Sequence, residues 1–232
     1  VVGRTDWDKA CTTQINPQVN YYHCYETLRE SFYKSKWDIN ECESHSIFVS
    51  QAGYPIKGFH QLLKAMPLVL KKFPDAKVYT TGRNLLSLSK KDKLKISSYE
   101  KYLLELIYKF NLENNISFLG LLDEQKMKEQ YLKSHCFVSC SSIENSSNSL
   151  GEAMLLGVPS ISSFVGGITS IFRHGIDGFM YPFDEYNMLA YYICEIFSND
   201  DLCLRLSNNS KSSAENIFDI KNNKNISKNN SE

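Results

Sequence analysis

Two carboxylates bracket seven residues in the stretch Glu144-Asn145-Ser146-Ser147-Asn148-Ser149-Leu150-Gly151-Glu152, and Ala153-Met154-Leu155-Leu156-Gly157-Val158-Pro159 follows. The first half is small and polar, like a loop running into a helix start. Leu150 to Leu156 reads as helix, which Gly157 and then Pro159 stop. Just upstream, Cys136-Phe137-Val138-Ser139-Cys140 reads as a buried strand. In open α/β sheets, ligands bind where a strand gives way to such a loop, outside the carboxyl ends of the strands. Backbone N–H groups at the helix start attract an anion such as a phosphate. Glu144 falls on the loop and Glu152 inside the helix. Two acids beside an anion site must hold something other than the anion, and as strong acceptors they suit sugar hydroxyls. The plain alternative is a chance pair of glutamates on a solvated helix face.

The elements that would position these residues alternate strand and helix. Ile47-Phe48-Val49-Ser50 is a strand, and the loop Gln51 to Gly58 follows it. A helix is predicted from Phe59 to Phe73, with Phe59, Leu62, Leu63, Met66, Leu70 and Phe73 at helical spacing. Pro67 inside it implies a kink or a lost hydrogen bond. Lys57 stands at the start of this helix, where the dipole disfavours a cation unless a phosphate compensates it. Ala76 to Gly82 is the second strand and Ile116 to Gly120 the third. Tyr99 to Leu112 is a helix, and so is Glu124 to Lys133, capped by Asp123. Cys136 to Cys140 is the fourth strand and Pro159 to Ser163 the fifth. Gly166-Gly167 then allows either a tight turn or close approach of backbone to a ligand. His174 to Pro182 reads as a turn and short strand, and Asp184 as the cap of a helix running to about Phe197. This alternation predicts an α/β fold, a Rossmann-like parallel sheet with helices on both faces.

Residues 1–45 read as a lead-in that packs on this domain, with Thr5 or Asp6 as a helix N-cap and Trp37 as an apolar anchor. Residues 46–206 form the domain. Residues 207–232 shift to Asn, Lys and Ser and read as a polar, disordered tail. Lys+Arg and Asp+Glu both number 26, so the chain has no formal net charge and gives no case for binding nucleic acid. No apolar run approaches the roughly 20 residues that span a bilayer. The opening residues show no signal-peptide pattern, and the start on Val1 rather than Met suggests a piece of something longer. Seven cysteines without Cys-x-x-Cys read as reduced thiols in a cytoplasmic protein. No metal-binding motif is assigned.

The Glu-x7-Glu pattern followed by Ala-Met-x-x-Gly-Val-Pro resembles the retaining glycosyltransferases of family 4, over roughly residues 45 to 200. The resemblance implies the C-terminal half of a GT-B fold, the half that binds the nucleotide-sugar donor. It implies that Glu144 holds hydroxyls of the donor sugar and that Glu152 accepts from the ribose. Lys57 and the N–H groups of Asn148, Ser149 and Leu150 would stabilise charge growing on the leaving diphosphate. Gln51, Gly58, Leu121 in the loop after the third strand, Gly166 and Gly167 would complete the donor site. The family carries an arginine five residues before its Lys-Gly, and here that position is Ala52. Gln51, Arg4 or Arg83 would have to stand in for it. The resemblance implies no cofactor, an unspecified glycan or lipid-linked acceptor, and an N-terminal half and crossover helix outside this chain. It leads to the expectation of donor binding with little or no transfer by this chain alone. Two alternatives stay open: a degenerate nucleotide-sugar binding module, and a GT-B nucleotide-sugar epimerase.

Overall fold

The computed structural model describes residues 1–220 and 223. The chain begins with β1 (Val2–Gly3), α1 (Asp6–Ile15), β2 (Tyr22–His23) and α2 (Glu30–Tyr33). The main body follows as β3 (Glu43–Val49), α3 (Phe59–Lys72), β4 (Lys77–Thr80), α4 (Lys90–Lys93), α5 (Ser98–Lys109), β5 (Ile116–Phe118), α6 (Glu124–Lys133) and β6 (Ser134–Ser139). It ends with α7 (Asn148–Leu156), β7 (Ser160–Ser163), β8 (Phe179–Tyr181), α8 (Tyr186–Ser198) and α9 (Asp200–Ile217).

β1 and β2 form a small parallel pair of their own. The six-stranded sheet has the order β5-β4-β3-β6-β7-β8, and every pairing in it is parallel. The strand order therefore runs outward on one side from β3 and on the other from β6, the doubly wound pattern with its crevice between those two strands. α3 packs with α5 and α8, and α7 with α2, α6 and α9, so helices cover both faces. A sheet covered on both faces has strands buried on both sides, and every residue of β6 is buried. α3 continues through Pro67 to Lys72.

The first 45 residues pack against the sheet and its helices. Leu28, Phe32 and Trp37 enter the core, and the Trp37 indole N–H donates to the Ser134 carbonyl at 2.8 Å. Two expectations need correction. Residues 207 to 217 are not a disordered tail but the second half of α9, whose Cys203, Leu206, Ser207, Ser210 and Ala214 are buried. These recur at helical spacing, yet most are small or polar, so composition hid the face that packs. Residues 221, 222 and 224–232 of that expectation lie outside the described residues. Asp184 does not cap α8, which begins after Glu185 without a side-chain cap. Asp123 does cap α6, accepting from Lys126 N at 2.8 Å.

His135, buried on β6, stacks on Phe197 and accepts from His45 N at 3.1 Å; its other nitrogen lies 3.6 Å from Cys203 Sγ. Burial, then the nearby His45, hold its imidazole down at about 4, with Asp200 opposing. As pH falls the unfolded chain takes up this proton first. The contribution of neutral His135 is thus complete above about pH 6.5 and fades towards pH 4. Between pH 7.5 and pH 5 the chain is expected to lose about 2 kcal/mol from this group. His135→Gln should lose correspondingly less in urea titrations at the two pH values. Equal losses in both proteins would rule His135 out as the source.

Candidate functional site

The site is built on α7. Ser147 is its N-cap and accepts from Leu150 N at 3.4 Å. Gly157 ends the helix in the left-handed region. Every residue from Leu150 to Leu156 is buried. A Cβ at Gly151 would collide with Leu28 and Phe218, so side chains from both ends of the chain grip the helix there. Trp37 N donates to the Leu156 carbonyl at 2.7 Å, and Lys211 Nζ to the Leu155 carbonyl at 2.7 Å. These bonds satisfy carbonyls that a helix end otherwise leaves without partners.

The other end of α7 opens on a polar cavity of about 420 Å³ at the carboxyl edge of the sheet. Ser50, Gln51 and Lys57 reach it from the loop after β3, Glu144, Ser146 and Ser147 from the loop after β6, and Asn148 and Ser149 from the first turn of α7. Glu144 accepts from Lys57 Nζ, and from Ser141 Oγ at 2.9 Å, on the same oxygen. Glu152 is 8% exposed and takes both arms of the Arg29 guanidinium, at 2.7 and 2.6 Å. That fork is the geometry in which arginine binds a carboxylate most strongly. Arg29 also lies over the Phe32 ring, 4.4 Å from its centroid. Burial lifts the Glu152 carboxyl above its ordinary value, and the Arg29 charge only partly pulls it back. Burial alone would lower Arg29, but the Glu152 carboxylate outweighs it and holds the guanidinium charged. Asn148 N–H and Ser149 N–H, at the helix start, donate to no protein atom among the described residues.

Of the residues singled out in the sequence, Lys57, Gln51, Glu144, Asn148, Ser149 and Glu152 meet around this cavity. Leu150 does so only through its neighbours: its side chain is buried and its N–H is taken by Ser147. Gly58 has a positive φ of 66°, and a Cβ there would strike the Cys140 carbonyl, so it sets the start of α3 against the end of β6. Gly166 and Gly167 do make a close approach, but to the Glu144 and Asn145 carbonyls. Gly167 N donates to Glu144 O at 3.0 Å, so the pair supports the motif loop from behind. Leu121 is 97% exposed and lies in a neighbouring cavity of about 810 Å³, with Tyr54, Gly82 and Arg83. Of the two arginines considered for the place of Ala52, Arg4 lines the polar cavity and Arg83 does not.

Sequence reasoning missed Arg29, whose partner is 123 positions away and which carries no local pattern. It also missed Asn145. Thr5 Oγ1 donates to Asn145 Oδ1, and Asn145 Nδ2 donates to Asp8 Oδ2 at 2.7 Å. Thr5 and Asp8 form the capping box of α1, and the Tyr21 hydroxyl also donates to Asp8. Burial would raise the Asp8 carboxyl, but hydrogen bonds from Arg4 N, Tyr21 and Asn145 bring it below its ordinary value. Asp6-Trp7-Asp8 is an Asp-x-Asp in sequence. Its Asp8 is occupied by this strap, and no cluster of three or more His, Cys, Asp or Glu suited to a metal occurs among the described residues.

Residues 30–213 match the family model of glycosyl transferases group 1, which is most of the chain. The chain belongs to this family. Among curated relatives, an uncharacterized glycosyltransferase of Methanocaldococcus jannaschii is 28% identical over 145 residues, covering 62% of this chain and 33% of that protein. A second uncharacterized glycosyltransferase of the same organism is 37% identical over 108 residues, covering 46% of this chain and 23% of that protein. The chain thus spans a third or less of the curated relatives it matches. Among solved structures, Staphylococcus aureus TarM superposes with a TM-score of 0.81 at 18% identity, over 99% of this chain and 43% of TarM. Anabaena HepE, in complex with UDP-glucose, gives 0.80 at 21% identity, over 100% of this chain and 63% of HepE. At such identities the likeness is one of fold, and it matches this sheet to GT-B glycosyltransferases.

The Arg29–Glu152 fork sets an expectation for this group 1 domain. Breaking a buried ion pair costs about 3–5 kcal/mol. Arg29 is 34% exposed, so solvent screens part of that charge. Arg29→Gln is expected to destabilise the chain by about 1–3 kcal/mol at pH 7.5. Without its counter-charge, the Glu152 carboxyl rises further in the folded chain. The folded variant then binds the proton first as pH falls, and its deficit shrinks by pH 4.5. Urea titrations of both proteins at both pH values check this. A deficit that does not change with pH would mean that packing on Phe32, not charge, had been lost.

Proposed function

We propose that this chain is the donor-binding part of a retaining glycosyltransferase, acting on a nucleotide-diphosphate sugar and an acceptor hydroxyl. One observation carries the reading: Lys57, Glu144, the start of α7 and Glu152 converge on one polar cavity at the switch point of a parallel sheet. Each group then has a task. The diphosphate lies against Lys57 and the N–H groups of Asn148 and Ser149, which stabilise its growing charge as the sugar departs. Glu152, inside the helix, accepts from ribose hydroxyls, and Arg29 keeps its carboxylate charged and in one orientation. Glu144, beside Lys57, accepts from hydroxyls of the sugar and orients it. Nothing in this scheme calls for a cofactor. HepE was solved with UDP-glucose and TarM with UDP, which makes UDP the first nucleotide to try.

A second reading, nucleotide-sugar binding without turnover, is favoured by one feature. Ala52 stands where the resemblance places a phosphate-binding arginine, and it is buried, with 2% exposure. Transfer assays separate the two.

Calorimetry with UDP, GDP, ADP and their common sugar conjugates tests the donor site. One nucleotide is expected to bind selectively, and Glu152→Ala to weaken it about ten- to a hundredfold, as loss of hydrogen bonds to a charged group does. No binding by a folded chain would overturn the proposal. Where transfer is detected, the anomeric proton coupling of the product reports retention or inversion, and inversion would end the retaining part of the reading.

A further inference from the structure

We infer that Arg4, delivered by the lead-in segment rather than by the Rossmann-like core, is the second cation that binds the diphosphate. The argument starts from a charge count. The cavity lining holds three cations, Arg4, Arg29 and Lys57, and two carboxylates, Glu144 and Glu152. Arg29 is committed to Glu152 and Lys57 to Glu144, both inside the cavity. Arg4 is the surplus charge. Its ion-pair partner, Glu26 at 2.5 Å, does not line the cavity. Both side chains are partly exposed, at 41% and 32%. This single contact between partly exposed side chains is held less firmly than the two-armed Arg29 fork.

The backbone of Arg4 is nonetheless held firmly. Arg4 N donates to Asp8 Oδ2 at 2.9 Å, and the same oxygen accepts from Asn145 at 2.7 Å. Arg4 is therefore tied to the residue next to Glu144, with a partly exposed guanidinium on a fixed stem. Arginine is suited to this place, since its planar fork grips phosphate oxygens two at a time. On the donor-binding reading, on which this step rests, a nucleoside diphosphate draws Arg4 off Glu26 and completes a clamp opposite Lys57.

The test compares diphosphates with nucleosides in the whole chain. Calorimetry is run with UDP, GDP and ADP, and with uridine, guanosine and adenosine, on wild type, Arg4→Gln and Glu26→Gln. Arg4→Gln is expected to weaken the preferred diphosphate about tenfold or more and to leave its nucleoside within twofold. Glu26→Gln removes the competitor, so it should bind the diphosphate as tightly as wild type or tighter. If Arg4 only held the lead-in together through Glu26, both variants would break the same pair and weaken binding alike, and that result overturns the inference. Unchanged diphosphate affinity in Arg4→Gln overturns it too, while leaving the donor site standing. Failure of folded wild-type chain to bind any diphosphate overturns this inference and the donor-binding reading together.

Discussion

The structure depends on one pairing, the parallel register of β3 against β6 at the centre of the sheet. Parallel neighbours end at the same edge, so the loops that leave them emerge side by side. Connections from β3 run to one side and from β6 to the other, which leaves a crevice no helix fills. Every charged group of the candidate site reaches that crevice from one of these two loops, from α7 behind the second, or from the lead-in laid across them. A one-residue slip in this register would turn every side chain of β6 to the opposite face. The small residues make the packing possible. Gly58 lets the loop after β3 touch the end of β6, and Gly166 and Gly167 let the loop after β7 support Glu144.

Charge inside the crevice obeys the rule that a buried ion must be matched. Glu152 sits within a helix that is otherwise apolar and buried, a position where an unmatched carboxylate would take up a proton. Arg29 supplies the match from outside the core domain. Lys57 and Glu144 match each other. These pairs keep polar groups oriented at fixed points, which is what a binding site requires of its walls. On the donor reading they are exchangeable in different degrees. Lys57 and Glu144 can each take a ligand group while remaining neighbours. The Arg29 fork uses both oxygens of Glu152, leaving their remaining lone pairs for hydroxyls.

Much of this was legible in the sequence, because it is written in local patterns. The six strands of the main sheet and most of the helices between them follow from apolar periodicity and from stop signals such as Gly157 and Pro159. The Glu144–Glu152 spacing, a strand before it and a glycine-ended helix after it locate the site. What was not legible depends on partners far apart in sequence. Arg29 has no motif, and its meaning comes only from the fold that sets it against Glu152. The packed face of α9 was hidden because Ser207, Ser210 and Ala214 are small enough for close contact with α7 yet count as polar or weak in composition. The glycine pair was read as facing a ligand, where its neighbours are backbone carbonyls of the motif loop. A glycine shows that something approaches closely, but not what.

The lead-in illustrates how a segment with little secondary structure can be held in place. α1 has no buried residue, and β1 and β2 are two residues each. Propensity alone would not order such pieces. They are fixed instead by the capping box of Thr5 and Asp8, by Tyr21 and Asn145, and further on by Leu28, Phe32 and Trp37 in the core. Polar bonds hold the outer part and apolar burial the inner part, and Arg4 and Arg29 lie one on each. Arg29 is held in a two-armed fork by a buried carboxylate, while Arg4 meets a single oxygen of a partly exposed one. Two arginines on one segment thereby gain different chemistry from the packing beneath them, without any difference in residue type.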